Sequence, residues 1–200
     1  MVAVRLSEHV ESADADHIVV LHGATWADYQ RAMEMRGDRP VPRVTFSQGE
    51  LQLMSPSRSH ESIKSTIGRL VEAYCLEKGI EFQPVGAWTL ERKELERGIE
   101  PDECYLLGAD MNRELPDLAI EVIWTSGGMN KLEVYRAIGV REVWVWRRGR
   151  LTGHILRDGA YVESRDSDVL PGLDLEHLAS FVDRPSASQS VREYRAALDR

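Results

Sequence analysis

The sequence predicts an α/β protein: a mixed central sheet with flanking helices, continued by an antiparallel meander. Three observations carry that prediction. The segment SHESIKSTIGRLVEAYCLEKG places Ile63, Ile67, Leu70, Val71 and Tyr74 on one side of a helix. The run from Leu118 to Trp124 is almost continuously apolar, the pattern of a strand covered on both faces. A helix-period segment and then REVWVW follow it, and strand, helix, strand with short connections predicts a right-handed crossover between parallel neighbours.

The remaining elements follow in order. Residues 1–24 read as an arm with scattered acids and no helical period, able to add a short strand at His17 to Leu21. Thr25 is a suitable N-cap for a helix from Trp26 to about Arg36, ended by Gly37-Asp38-Arg39-Pro40. Val44-Thr45-Phe46 and Glu50 to Met54, joined by Ser47-Gln48-Gly49, read as a hairpin. Pro56 and several serines break the pattern before the long helix opens near Ser59, and Gly79 closes that helix. Glu81 to Leu90 reads as extended, Glu91 to Gly98 as a loop, and Asp102 to Leu107 as a short strand before the central strand Leu115 to Trp124. The crossover helix spans about Gly128 to Ile138 and stops at Gly139. Leu151 to Leu156 and Ala160 to Glu163 supply the meander, and residues 185–200 a helical tail, SVREYRAALDR. Residues 25–184 are thus expected to form one domain, without internal repeats.

Composition narrows the function. The chain has 200 residues, 42% hydrophobic and 29% charged, as expected of a folded domain with a substantial core. It has no apolar run approaching the roughly 18 residues of a membrane span, and MVAVRLSEHVESADAD lacks the order of a signal peptide, so a cytoplasmic protein without membrane attachment is expected. Cys75 and Cys104 are too few and too far apart for a disulfide framework or a zinc site, and read as buried thiols. A net charge of −8 argues against a broad nucleic-acid-binding surface but is compatible with a small basic cleft. No small-molecule cofactor is implied.

The chemically informative residue is Glu121, alone among apolar neighbours. A buried carboxylate needs a metal ion, a lysine or a hydrogen-bond network to compensate its desolvation. Asp117 shares its face of the strand, but four residues of strand separate the two by roughly 13 Å, too far for one ion. Asp102, in IEPDECYLL at the start of the preceding strand, is better placed. Carboxylates meeting from adjacent strands repel strongly unless a divalent cation neutralises them, an arrangement that suits magnesium. Lys131 falls in the first turn of the crossover helix, within reach of the acidic pair, where it could orient a water or stabilise charge on a phosphate. His60 precedes Ile63 by three and Ile67 by seven and continues the inward stripe of its helix. Glu50 is a weaker candidate. Trp144 and Trp146 alternate with valines and read as core or dimer surface, which motivates an expected homodimer. Arg147, Arg148 and Arg150 around Gly149 read as a solvated hairpin turn.

An acid on one strand, a second acid about twenty residues later in an apolar strand and a nearby lysine resemble the PD-(D/E)xK nuclease core. More closely, GELQLMSP followed by His60, then PDLAIEV, KLEVYRAIGVREVWVW and VLPGLDL resemble the Uma-two family of restriction-endonuclease-like proteins, over about Trp26 to Phe181. The resemblance implies a restriction-endonuclease-like fold and a nuclease that hydrolyses DNA, RNA not being excluded, with Mg²⁺ or Mn²⁺. It implies Asp102 and Glu121 as metal ligands, Lys131 as the catalytic lysine, and His60 as the polar residue opening the first core helix. The alternative is a catalytically inactive module of the same fold that binds nucleic acid or a protein partner. Two departures stand out: Ile123 occupies the place two residues after the acid where the motif has lysine, and the short WTSGGMN replaces a longer loop with an extra aspartate.

Overall fold

The structure is a computed structural model and describes residues 3–5, 14–125 and 127–198. The chain runs β1 (Ala3–Arg5), β2 (His17–His22), α1 (Trp26–Arg36), β3 (Arg43–Ser47), β4 (Glu50–Ser55), α2 (Arg58–Lys78), β5 (Phe82–Pro84), β6 (Leu90–Arg92), β7 (Arg97–Ile99), β8 (Glu103–Leu107), β9 (Leu118–Val122), α3 (Lys131–Ile138), β10 (Glu142–Arg147), β11 (Arg150–Arg157), β12 (Ala160–Ser164), α4 (Leu175–Ala179) and α5 (Ala187–Leu198). No helix among the described residues is long and apolar enough to cross a membrane.

Two sheets form rather than one. The second, ordered β12-β11-β10-β9-β8-β5, is the mixed sheet expected from the crossover: β9 and β10 run parallel, with Ala119 beside Val143, and β10 to β12 make the antiparallel meander. The first is antiparallel and ordered β1-β2-β4-β3-β7-β6. It takes up the β3–β4 hairpin, which does not extend the central sheet. Residues 17–22, read from sequence as part of an arm, are an interior strand paired along its whole length with β4. The charged stretch 91–98, read as a loop, contributes to the hairpin β6–β7, which turns through Glu96 at φ 50°. The exposed Lys93, Glu94 and Glu96 lie in the turn, and the two strands, three residues each, are too short to show a period.

Helix boundaries follow their chemistry. Thr25 caps α1 in a capping box with Asp28, and Ser57 caps α2 by accepting from the His60 N–H. Gly79 ends α2 in the left-handed conformation at φ 64°. The predicted turn at Arg148-Gly149 is present, both residues having positive φ.

The parity of β9 divides the core. Leu118, Ile120 and Val122 pack with Ile67, Leu70, Val71 and Tyr74 of α2, whereas Ala119 packs with Val134, Tyr135 and Ile138 of α3. Glu121 therefore sits on the α3 side. Trp144 and Trp146 lie in the same core as α2, and the Trp144 indole N–H donates to Glu142, 2.5 Å away. They are core residues, so the surface argument for a homodimer loses its motivating aromatics. Both cysteines are buried and free.

Gly98 of β7 lies against the ring of Tyr29, and an added Cβ would approach that ring to 2.5 Å. Tyr29 has little room to yield, being fully buried with its hydroxyl on Glu91 at 2.6 Å. Gly98→Ala is expected to destabilise the protein by about 1–3 kcal/mol, read as a lower urea midpoint; an unchanged midpoint would contradict this packing.

Candidate active site

Glu121 points from β9 into the space between the two sheets. The antiparallel register sets Glu103 opposite Ile120, so Asp102, just before β8, lies near Glu121, and its charge acts on that carboxylate. The two carboxylates are almost entirely buried, at 1% and 2% exposure for Asp102 and Glu121. Each is enclosed by donors. Asp102 Oδ1 accepts from Arg43, its Oδ2 accepts from the Val122 N–H at 2.6 Å, and His60 Nε2 lies 3.1 Å from Oδ2. Glu121 Oε2 accepts from Lys131 Nζ at 2.6 Å, and its Oε1 accepts from the Tyr135 hydroxyl. Lys131 opens α3 and Tyr135 follows four residues later, so both project from one face of that helix.

The loop that delivers Lys131 is pinned by β4 of the first sheet and by the segment before β2. The Met129 N–H donates to Gln52 Oε1 at 2.7 Å, the Asp16 N–H donates to Thr125 Oγ1 at 2.9 Å, and the Trp124 indole N–H donates to the Asp14 carbonyl at 2.7 Å. The Asp16 carboxylate accepts from the Ser57 N–H at 2.8 Å and lies 3.0 Å from His60 Nδ1. His60 thus bridges two carboxylates. Arg43 also reaches Glu61 at 2.7 Å.

These contacts set the protonation states. Burial pushes the His60 imidazole down, but the hydrogen bonds to Asp102 and Asp16 outweigh it and raise the group to about 9. Burial likewise pushes Asp102 up, yet Lys131, His60 and Arg43 hold it far below the usual carboxylate range. Glu121 is raised: burial dominates, Lys131 opposes it, and the charge on Asp102 pushes further upward. Lys131 stays protonated because Glu121 and Asp102 outweigh its burial.

All four residues singled out from sequence, Asp102, Glu121, Lys131 and His60, converge on one cluster. Asp117 lies elsewhere, with Arg113 and with the Leu107 N–H at 2.8 Å. Glu50 pairs with His22 at 2.9 Å on the surface. Arg43, Asp16, Tyr135 and Gln52 were not foreseen. Tyr135 carried a usable signal in its four-residue spacing from Lys131, whereas the other three lie in the hairpin or the arm, whose placement against the central sheet the sequence does not display. A cavity of about 230 Å³ opens onto the cluster, with Glu121, Lys131, Tyr135 and Gln52 in its lining.

The family profile described as "Putative restriction endonuclease", Uma2, matches residues 26–182. The chain belongs to the Uma2 family. A similar solved structure is that of "a putative nuclease belonging to DUF820" from Anabaena variabilis, at 13% identity and a TM-score of 0.54, covering 85% of this chain and 98% of that one. That likeness places the Uma2 chain in the same restriction-endonuclease-like α/β fold. No curated protein sequence matches it.

The Uma2 donor set fits a hard divalent cation under one condition. Among the described residues no three or more His, Cys, Asp and Glu side chains form a metal cage. Two carboxylates are nonetheless what a magnesium ion commonly takes from a protein, with water and phosphate oxygens completing its shell. The condition is that a donor be displaced, since every carboxylate oxygen already accepts one. Lys131 and Tyr135 both line the cavity, and Lys131, with the longer side chain and partial exposure where Tyr135 is fully buried, is the donor that can withdraw.

The bridging His60 makes stability pH-dependent. Its folded value, about 9, exceeds the ordinary 6.5, so the stabilisation is complete below about pH 6.5 and is lost as pH rises through about 9. The loss is expected to be on the order of 3 kcal/mol, read as a fall in the urea midpoint between pH 6 and 9.5. His60→Asn is expected to flatten that fall; an equal fall in both proteins would remove His60 as its source.

Proposed function

We propose that this protein is a metal-dependent nuclease that hydrolyses phosphodiester bonds of DNA, with Asp102 and Glu121 as ligands to Mg²⁺ or Mn²⁺. The observation that carries the reading is the Lys131–Glu121 pair lining a cavity, with Asp102 just before the neighbouring strand. Family membership supports the reaction class.

Bound by the two carboxylates, a divalent ion would supply a polarised phosphate oxygen and a water of lowered pKa. The chain's own residues do the rest. Lys131, freed from Glu121 Oε2, directs its ammonium at a phosphate oxygen and stabilises the charge that builds there during in-line attack. Tyr135 holds the other Glu121 oxygen, so that the carboxylate keeps its orientation when Lys131 moves. His60 and Arg43 hold Asp102 ionised, and the apolar walls restrict water. A second reading, a non-catalytic nuclease-fold module, is favoured by one observation: both carboxylates are fully partnered within the chain.

Two substitutions separate binding from chemistry. Glu121→Gln is expected to abolish calorimetrically measured Mn²⁺ binding together with cleavage. Lys131→Ala is expected to retain the ion and to lower the cleavage rate on the order of 10²–10³-fold. The assay is cleavage of labelled DNA and RNA across a magnesium and manganese series. Wild-type protein that binds neither ion and cuts no substrate would establish the non-catalytic module, and activity surviving both substitutions would belong to a contaminant.

A further inference from the structure

Resting on the nuclease reading above, we propose that the cavity beside Glu121 and Lys131 is a pocket for one unpaired nucleobase, so that the substrate is single-stranded or locally extruded. The argument begins with depth. Asp102 and Glu121 are 1% and 2% exposed, and the opening to Glu121 passes through the cavity. A phosphate in a regular duplex cannot approach a buried carboxylate while its nucleotide stays stacked and paired. The nucleotide attached to it has to leave the stack and enter with it, as happens in enzymes that work on extruded bases.

The cavity has the shape and chemistry for that guest. Its volume is about 230 Å³, below the roughly 300 Å³ at which pockets for drug-sized ligands begin and suited to one planar heterocycle. Ile18 of β2, Met54 of β4, Leu132 of α3 and Val145 of β10 all line it. These side chains offer apolar surface to a ring. Arg147, at the end of β10, is exposed and also lines the cavity, where it can meet a neighbouring phosphate.

The lining also carries polar side chains, among them Asp16, Asn130, Arg147 and Gln52. Gln52 is 2% exposed in the middle of β4. Its Oε1 accepts from the Met129 N–H at 2.7 Å, which fixes the direction of the amide. Its Nε2 has no hydrogen-bond partner among the described residues, and the side chain lines the cavity. An amide donor facing a confined pocket discriminates between ligands that do and do not offer an acceptor, because a site built to hydrogen-bond a ligand rejects one that cannot. Ring nitrogens and carbonyl oxygens on nucleobase edges are such acceptors. Gly128 completes the arrangement, since a Cβ there would come within 2.7 Å of Gln52 Oε1 and displace the amide.

The test titrates the full-length protein, in EDTA, with the four deoxynucleoside 5′-monophosphates and with 2-deoxyribose 5-phosphate, using calorimetry. At least one nucleotide is expected to bind about tenfold more tightly than the base-free sugar phosphate, and Gln52→Met and Gly128→Ala are each expected to lose about that factor. Equal binding of the sugar phosphate and all four nucleotides by wild-type protein would overturn the pocket, whatever the folding of the variants. In a second arm, with manganese, a single strand is expected to be cut at least about tenfold faster than the blunt duplex of the same sequence; equal rates would also overturn it. The two readings fail separately. Base-selective binding without cleavage of any substrate keeps the pocket and removes the hydrolase, whereas cleavage without base selectivity keeps the hydrolase and removes the pocket.

Discussion

The carboxylate of Asp102 is the point on which the two sheets and the long helix agree. It accepts from Arg43 of the first sheet and from the Val122 N–H of the second, and it faces His60 of α2. A fully ionised carboxylate at 1% exposure is tolerable only with this many donors. The reverse holds as well: Arg43 and His60 are themselves 6% and 0% exposed, and without Asp102 each would keep a single acidic partner, Glu61 for Arg43 and Asp16 for His60. The angle and spacing between sheets are therefore constrained by electrostatics, not only by apolar packing, at the place where chemistry is proposed.

The same geometry makes the two acids unequal. Asp102 is sealed by a guanidinium, an imidazole and a backbone N–H, and the nearby Lys131 together with His60 and Arg43 keeps it ionised far below the usual range despite its burial. Glu121, raised by its burial and by the Asp102 charge, has Lys131 as its main compensation and opens on the cavity. Two carboxylates this close would otherwise share a proton. Three cations, Arg43, His60 and Lys131, instead neutralise most of the charge of Asp102, Glu121, Asp16 and Glu61. One acid anchors the architecture while its neighbour remains responsive to a ligand.

Much of this was legible in the sequence because it depends on local periodicity. The long helix, the β9–α3–β10 crossover and the meander follow from apolar patterns of periods 3.6 and 2, and a lone Glu121 in an apolar strand announces a site. The spacing argument that separated Asp117 from Glu121 agrees with the structure, where Asp117 engages Arg113. What was not legible is non-local. Arg43 lies 59 residues from Asp102 and Asp16 lies 44 from His60, and no window of sequence shows that these strands meet. The division into two sheets was hidden for the same reason, since β6 and β7 are short, charged and recognisable only by their partners.

The displaced lysine shows how local and non-local constraints combine. The usual position, two residues after the acid, is Ile123, which is 36% exposed and lies past the end of β9. From there a side chain would sit at the rim of the cavity and not beside a buried carboxylate. Lys131 instead arrives on the first turn of α3, which packs through Val134, Tyr135 and Ile138 on the same side of the sheet as Glu121. That return works only if the intervening loop has a defined path, and the path is set by Gln52, Asp16 and Asp14 from outside the strand–helix–strand unit. Moving the lysine from strand to helix thus transfers control of its position from the β9 ladder to the first sheet and the segment before β2. The first sheet is in this sense part of the site's construction, and the cavity between it and α3 is the space that this relocation leaves.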